Sequence, residues 1–533
     1  MKIKYIALLA VLVGLTACND EEDFSKTEVV VALPELSSGS ADFSNYVALG
    51  ASFTAGYTDG ALFKASQGNS FPQQLANKFA GIGGGSFTQP LMNDNTGGMV
   101  AGTTPVVAYR LIFNGTGPQR LNEFLAGLGA PTPPITTDIT ANLGSTFNNV
   151  GVPGAKSFHL LANGYGNVAG VSLGLANPYF VRMASSPNAS MLEDALSQEP
   201  TFFTLSEIGG NDVLSYATSG GIGIDQTGHF NPQIYGKNDI TDPTVFGQVF
   251  EGIVTQLTSG SAKGVIANVP YITSLPYFTT IPNNALVLDA AQAAGLTGFF
   301  QAYAGIFTQG LIGLGVPPAN AQALAAQYAI TFTEGSNRFL IDVPASATNP
   351  QGFRQMTENE LLLLPIDRGA IAAQGYGSVA ISQAVLQVLG ILQAGGTPTA
   401  QQAGLVLAAV NAIDDKDALD TEELLSIQTA TDAYNVKIKA VADATGLAFV
   451  DFKSILEKAS TTGLVSGDYT LTTNLVTGSL VSLDGVHLTA RGYALMANEF
   501  MKAIDVAYGS NFEASGSLLD VGNSPTNYSH TLQ

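Results

Sequence analysis

The chain has no tryptophan, one cysteine and only four histidines among its 533 residues. A single thiol excludes an intrachain disulfide framework. With so few histidines and no second cysteine there are no paired ligands of the kind that hold zinc, so neither a metal nor another cofactor is expected. Positive charge is also scarce: 21 Lys and Arg stand against 42 Asp and Glu, a net charge of −21. That balance argues against nucleic acid or anionic headgroups as electrostatically drawn partners. Long apolar runs are missing too. Beyond the N-terminus each one is broken by Gly, Pro, Gln or Asn within about 15 residues, short of the ~20 that a membrane helix needs. What the chain does have is 46% hydrophobic residues and 59 glycines, enough for a large core with many tight turns. No fixed-period repeat or low-complexity tract is visible.

The N-terminus carries an address. Lys2 and Lys4 precede an apolar run from Ile6 to Leu15, which ends in Leu15-Thr16-Ala17-Cys18. A charged start, a short apolar stretch and small residues before a cut mark a secretory signal at residues 1–17. The position of Cys18 resembles a bacterial lipobox, which implies lipidation of Cys18 and attachment to a membrane without crossing it. Loss of Lys2 and Lys4 leaves 516 residues with 19 basic and 42 acidic side chains, a net −23. The acidic cluster Asn19–Asp23 opens a polar tether over residues 18–44 and resembles the tethers of Bacteroidetes lipoproteins. That resemblance implies an outer-membrane lipoprotein on the cell surface or the periplasmic face.

Five apolar runs read as strands: Tyr46–Leu49, Thr146–Val150, Thr201–Leu205, Lys263–Ala267 and Leu447–Val450. Helical spacing lies between and after them, over Phe71–Phe79, Val249–Thr258, Leu424–Ala444 and Thr489–Ala507. Alternating strands and helices predict an α/β fold with a central parallel sheet covered on both faces. Chemically suggestive residues follow the strand ends, where ligands bind in open α/β sheets.

Gly50-Ala-Ser52 follows the first run, Gly151-Val-Pro-Gly154 the second and Gly209-Gly-Asn211-Asp212 the third, while Asp484-Gly-Val-His487 lies near the C-terminus. A serine hydroxyl is a weak nucleophile at neutral pH, so a histidine must take its proton and a carboxylate must orient that histidine. Asp484 and His487 are close enough for one short loop to pair them. Glycine at position 50 lets the strand turn sharply before Ser52. The N–H groups of Ser52 and Gly154 and the side-chain amide of Asn211 are candidate oxyanion donors, each worth about 10²–10³ in rate. Plain readings of the same residues are a helix cap at Ser52, a turn at Gly154 and a turn former at Asn211.

In order and content these four segments resemble the blocks of the SGNH (GDSL) hydrolase family, over residues 46 to about 505. The resemblance implies a three-layer flavodoxin-like fold and a serine esterase or lipase. Ser52 is then the nucleophile, His487 the base, Asp484 the acid, and Ser52, Gly154 and Asn211 the oxyanion hole. Two departures stand out. Ala51 occupies the position where the family usually has aspartate, and the stretch between Asp212 and Asp484 is far longer than a minimal domain requires. Residues 45–510 are expected to form the hydrolase domain, with a large, mainly helical insertion at about 283–425, and residues 511–533 a C-terminal tail. Ala285–Gly310 and Pro317–Ile330 have helical spacing with broad apolar faces, suiting either a cap over the site or an accessory subdomain.

The expected substrate is a lipid or acyl ester. An acetylated carbohydrate is the competing ester, and a non-catalytic glycan- or lipid-binding lipoprotein is the competing class. An outer-membrane barrel is disfavoured by helix-period segments where alternating strands would be needed. Gly154-Ala-Lys-Ser157 lacks the spacing of a phosphate loop. Asp414–Glu423 lacks the central glycine of a calcium loop. His159 is read as structural, and His229 and His530 as loop residues.

Overall fold

A computed structural model describes residues 32–532. The signal segment, Cys18 and the acidic cluster lie outside the described residues. Five parallel strands form the central sheet: β1 (Tyr46–Gly50), β2 (Asn149–Gly151), β3 (Phe202–Ser206), β4 (Lys263–Ala267) and β5 (Ala448–Val450), in the order β2-β1-β3-β4-β5. Each overlaps a strand expected from its apolar run, although β2 begins at Asn149 where the expectation began at Thr146. Every residue of β1 and β3 is buried, as expected for strands covered on both faces.

The chain leaves β1 outward to β2, then returns to β3 and continues the other way. The winding therefore reverses between β1 and β3, which opens a crevice beyond their carboxyl ends. The helices that matter here are α1 (Ser52–Ala55), α2 (Phe71–Phe79), α3 (Gly210–Thr218), α4 (Pro243–Thr258), α5 (Thr421–Thr445), α6 (Phe452–Thr461) and α7 (Ala490–Tyr508). On one side α2 meets α7 through Phe71 and Phe500, stacked at 4.9 Å. On the other, α4 meets α5 through Phe246 and Tyr434, stacked at 4.2 Å.

Both ends of the described chain belong to this body. Phe43, in the expected tether, stacks on Phe79 at 3.9 Å. Phe512 and Val521, in the expected tail, join the same core. Arg110, fully buried, donates to the carbonyls of Tyr528 (3.3 Å) and Ser529 (2.6 Å) and pins the last residues down.

Residues 281–419, between β4 and α5, build two further cores and lend Leu363 and Leu419 to the main one. Phe299, Phe300, Tyr303 and Tyr328 centre one of them, and Phe339, Ile341, Leu362 and Ile413 another. Helices at Ala290–Gly313, Pro318–Ala325, Gln383–Gln393 and Ala400–Leu407 alternate here with antiparallel ladders of two or three residues. The region is more mixed than the helical spacing indicates. It closes before residue 425, because α5 starts at Thr421 and sends Ile427, Tyr434 and Ile438 into the main core.

Candidate active site

Ser52 stands where β1 turns into α1. The turn is tight: a Cβ on Gly50 would lie 2.1 Å from Thr54 Oγ1 and 2.9 Å from the Ser206 carbonyl oxygen, so only glycine fits. Ser52 opens α1, and its carbonyl accepts from Tyr57 N–H at 2.9 Å. Its own N–H has no acceptor in the described chain, as is common in a first helical turn.

Asp484 and His487 are joined as their spacing suggests. His487 Nδ1 lies 2.8 Å from Asp484 Oδ2, which also accepts from Gly60 N–H at 2.8 Å. Oδ1 accepts from the N–H groups of His487 (2.8 Å) and Val486 (2.9 Å) and from the Ser482 hydroxyl (3.1 Å). Burial alone would raise the Asp484 pKa. The adjacent imidazole and these donors outweigh it and hold the carboxyl far below the usual carboxylate range. An anionic Asp484 accepts a hydrogen bond from Nδ1–H, which leaves Nε2 as the basic nitrogen. The ring packs against Tyr57 at 4.5 Å and Phe53 at 5.8 Å.

Ser52 and His487 line one cavity beyond the β1 and β3 ends. No hydrogen bond joins them among the described residues. Contacts of this kind are often long in ligand-free enzymes and tighten around a substrate.

Asn211 lies in the first turn of α3 and also lines the cavity. Its amide donates to the Ala155 carbonyl at 2.8 Å, leaving its second hydrogen available. Gly154 precedes Ala155 at φ +80°, where glycine is favoured, and its N–H has no acceptor in the described chain. Gly154 is not part of the cavity wall itself.

Two carboxylates at the site have roles that sequence reasoning missed. Asp212, fully buried, accepts from Ser157 N–H at 2.9 Å and Ser157 Oγ at 2.6 Å. It ties the loop that carries Gly154 to the helix that carries Asn211. Glu207, just past β3, accepts from the N–H groups of Ala51 (2.6 Å) and Thr54 (3.0 Å). The invariant cue for both would be spatial, because the partners lie 55 and 156 positions apart.

Away from the mouth the cavity is almost wholly carbon. Leu214 of α3, Val269 and Ile272 after β4, Ile455 of α6 and Leu495 and Met496 of α7 form its walls. None of the wall comes from residues 283–425. Leu364 of this region nevertheless lies against Gly485, between Asp484 and His487.

His159 faces elsewhere. Its Nδ1 accepts from Lys156 N–H at 3.0 Å and its ring stacks on Tyr165 at 4.4 Å. Burial, helped by the Lys156 charge, pushes its pKa down to about 4. His229 and His530 are exposed. In Asp414–Glu423, Asp420 caps α5 by accepting from the N–H groups of Glu422 and Glu423, both at 2.9 Å. Among the described residues no three His, Cys, Asp or Glu side chains group as metal ligands, and no helix is long and apolar enough to cross a membrane. Comparison of the chain with protein-family models, curated proteins and solved structures finds no match.

Proposed function

We propose that this protein is a serine ester hydrolase of the SGNH (GDSL) type, on a flavodoxin-like sheet with residues 281–419 inserted. The carrying observation is the Asp484–His487 pair at 2.8 Å sharing one cavity with Ser52 at the point where the sheet reverses its winding. Ser52 Oγ attacks the ester carbonyl while His487 Nε2 takes its proton, and Asp484 stabilises the imidazolium formed. The N–H groups of Ser52 and Gly154 and the free amide hydrogen of Asn211 receive the oxyanion. His487 returns the proton to the leaving alcohol, and water releases the acyl group by the same steps in reverse.

The carbon-lined cavity favours a lipid or other acyl ester over an acetylated carbohydrate, since its wall offers apolar contact and almost no polar partner for a sugar. Each buried methylene is worth about 0.8 kcal/mol. A non-catalytic binding protein would have no use for the buried, ionised Asp484 behind His487. The lipobox-like segment supports anchoring through Cys18 at the outer membrane, with surface or periplasmic display.

The test is hydrolysis of p-nitrophenyl esters from acetate to palmitate by a soluble form starting after Cys18, beside Ser52→Ala. Activity that vanishes in the variant and favours chains longer than acetate is expected. Equal activity in both proteins would remove the serine mechanism, and a sharp acetate optimum would favour the carbohydrate esterase.

A further inference from the structure

The residue before the nucleophile is Ala51, which offers no side-chain acceptor to the turn it begins. First-turn N–H groups need acceptors, normally from a Ser, Thr, Asp or Asn at this position. Here the carboxylate comes from another strand. Glu207 Oε1 accepts from Ala51 N–H at 2.6 Å and Thr54 N–H at 3.0 Å, and Oε2 accepts from Thr54 Oγ1 at 3.3 Å. These bonds take the amides on either side of Ser52 and leave the Ser52 N–H unclaimed.

We infer that Glu207 is a positioning residue for the nucleophile, a cap supplied across the sheet in place of the carboxylate that position 51 lacks. The inference rests on the proposed hydrolase reading for its catalytic consequence, though the cap itself does not.

Two further features fit. Glu207 has φ +51°, a conformation that a residue other than Gly or Asn adopts at a cost and that clusters where function requires it. Burial also pushes its pKa up to about 7, against the opposing pull of the nearby Ser206 hydroxyl and the hydrogen bonds from Thr54 and Ala51. A surface glutamate at 207 would avoid both costs. The fold accepts them at the residue that joins β3 to β1 where the site opens. With the cap gone, Ser52 Oγ and its N–H are free to shift relative to His487 and Asn211. Misplacement of about 1 Å is enough for a loss near 10²-fold.

The experiment compares wild type, Glu207→Ala, Glu207→Gln and the double variant Glu207→Ala with Ala51→Asp. Readouts are labelling of Ser52 by a fluorophosphonate, kcat and KM on p-nitrophenyl butyrate, and hydrogen exchange of the peptide spanning residues 50–56. Glu207→Ala is expected to lower labelling and kcat by about 10²-fold with little change in KM, and to speed exchange in that peptide. Glu207→Gln keeps an acceptor oxygen and loses less. Ala51→Asp in the alanine background restores the cap locally and recovers at least tenfold of the loss.

Wild-type rates in Glu207→Ala, or a loss that Ala51→Asp leaves untouched, would overturn the inference. If Glu207→Ala does not fold, Glu207→Met, which keeps the side-chain volume and removes both acceptor oxygens, decides: slower labelling and faster exchange support the cap, and wild-type values of both overturn it. Absence of labelling in wild type would overturn the hydrolase reading instead, and exchange in the 50–56 peptide would still decide the cap.

Discussion

The glycines that border the site and those along one long helix of residues 281–419 serve opposite ends. In the body, a Cβ on Gly50 would strike Thr54, one on Gly151 would lie 2.4 Å from Ala55 N, and one on Gly485 2.8 Å from Tyr277 N. These glycines are where backbone must pass close to backbone, and each borders the site. In the helix Ala290–Gly313, by contrast, a Cβ on Gly295, Gly298 or Gly305 would meet nothing within 4 Å. The same residue type marks tight construction beside the site and unused space along that helix. We assign the proposed chemistry to the body, which holds Ser52, Asp484 and His487.

The largest effect that can break this assignment comes from the triad. Ser52→Ala or His487→Ala is expected to lower kcat by about a millionfold, and Asp484→Ala by about 10⁴-fold. Phe300→Ala, in the centre of the second region's core, should cost about 3–5 kcal/mol in unfolding of that region and leave kcat within about twofold. Ester turnover beside urea melts of the same variants provides the check. A collapse of kcat in folded Phe300→Ala would tie the two regions together.

Asn211→Ala comes next. It removes one proposed oxyanion donor and the bond to Ala155, so kcat should fall about 10²–10³-fold while KM moves little. A rise in KM at constant kcat would make Asn211 a substrate-binding group instead.

Legibility follows the same division. All five strands of the sheet are readable, because a parallel strand buried on both faces is a short continuous apolar run. The Asp484–His487 pair is readable because its partners are three residues apart. The caps by Glu207 and Asp212 are not, since nothing local distinguishes a glutamate that reaches 156 positions away from one in solvent. The cavity was hidden for a related reason: Leu214, Ile455 and Met496 have the spacing of ordinary core residues, and only packing shows that they stop short of one another. The ladders within 281–419 are two or three residues long, too short for any periodicity.

A smaller effect concerns the cavity. Leu214→Trp would fill its wall one turn beyond Asn211 and should cut kcat/KM on the longest accepted ester by about 10–200-fold, while acetate turnover stays near wild type. Equal losses on all chain lengths would place the acyl group elsewhere.

Glu207 adds a pH signature to the body alone. Its pKa is about 7 when folded, above the ordinary 4.5, so the folded chain holds the proton more tightly. Stability from this group is full below about pH 4.5 and falls as pH rises to about 7, because the folded state then binds more protons than the unfolded one. Glu207→Gln should flatten that fall in urea midpoints measured from pH 5 to pH 8. An unchanged slope would mean that another group carries it.

The smallest effect tests the open half of the comparison. Gly298 and Gly305 lie inside the helix Ala290–Gly313 with free space at their Cβ positions. Alanine there reduces the freedom of the unfolded chain and adds no clash, so each replacement should stabilise the region by about 0.5–1 kcal/mol. Gly50→Ala uses the same chemistry at the close approach beside Ser52 and should destabilise the body by about 1–3 kcal/mol. The sign of the change is what separates the regions. If Gly298→Ala and Gly305→Ala destabilise as Gly50→Ala does, something packs against that helix face in solution, and residues 281–419 have a partner surface rather than spare room.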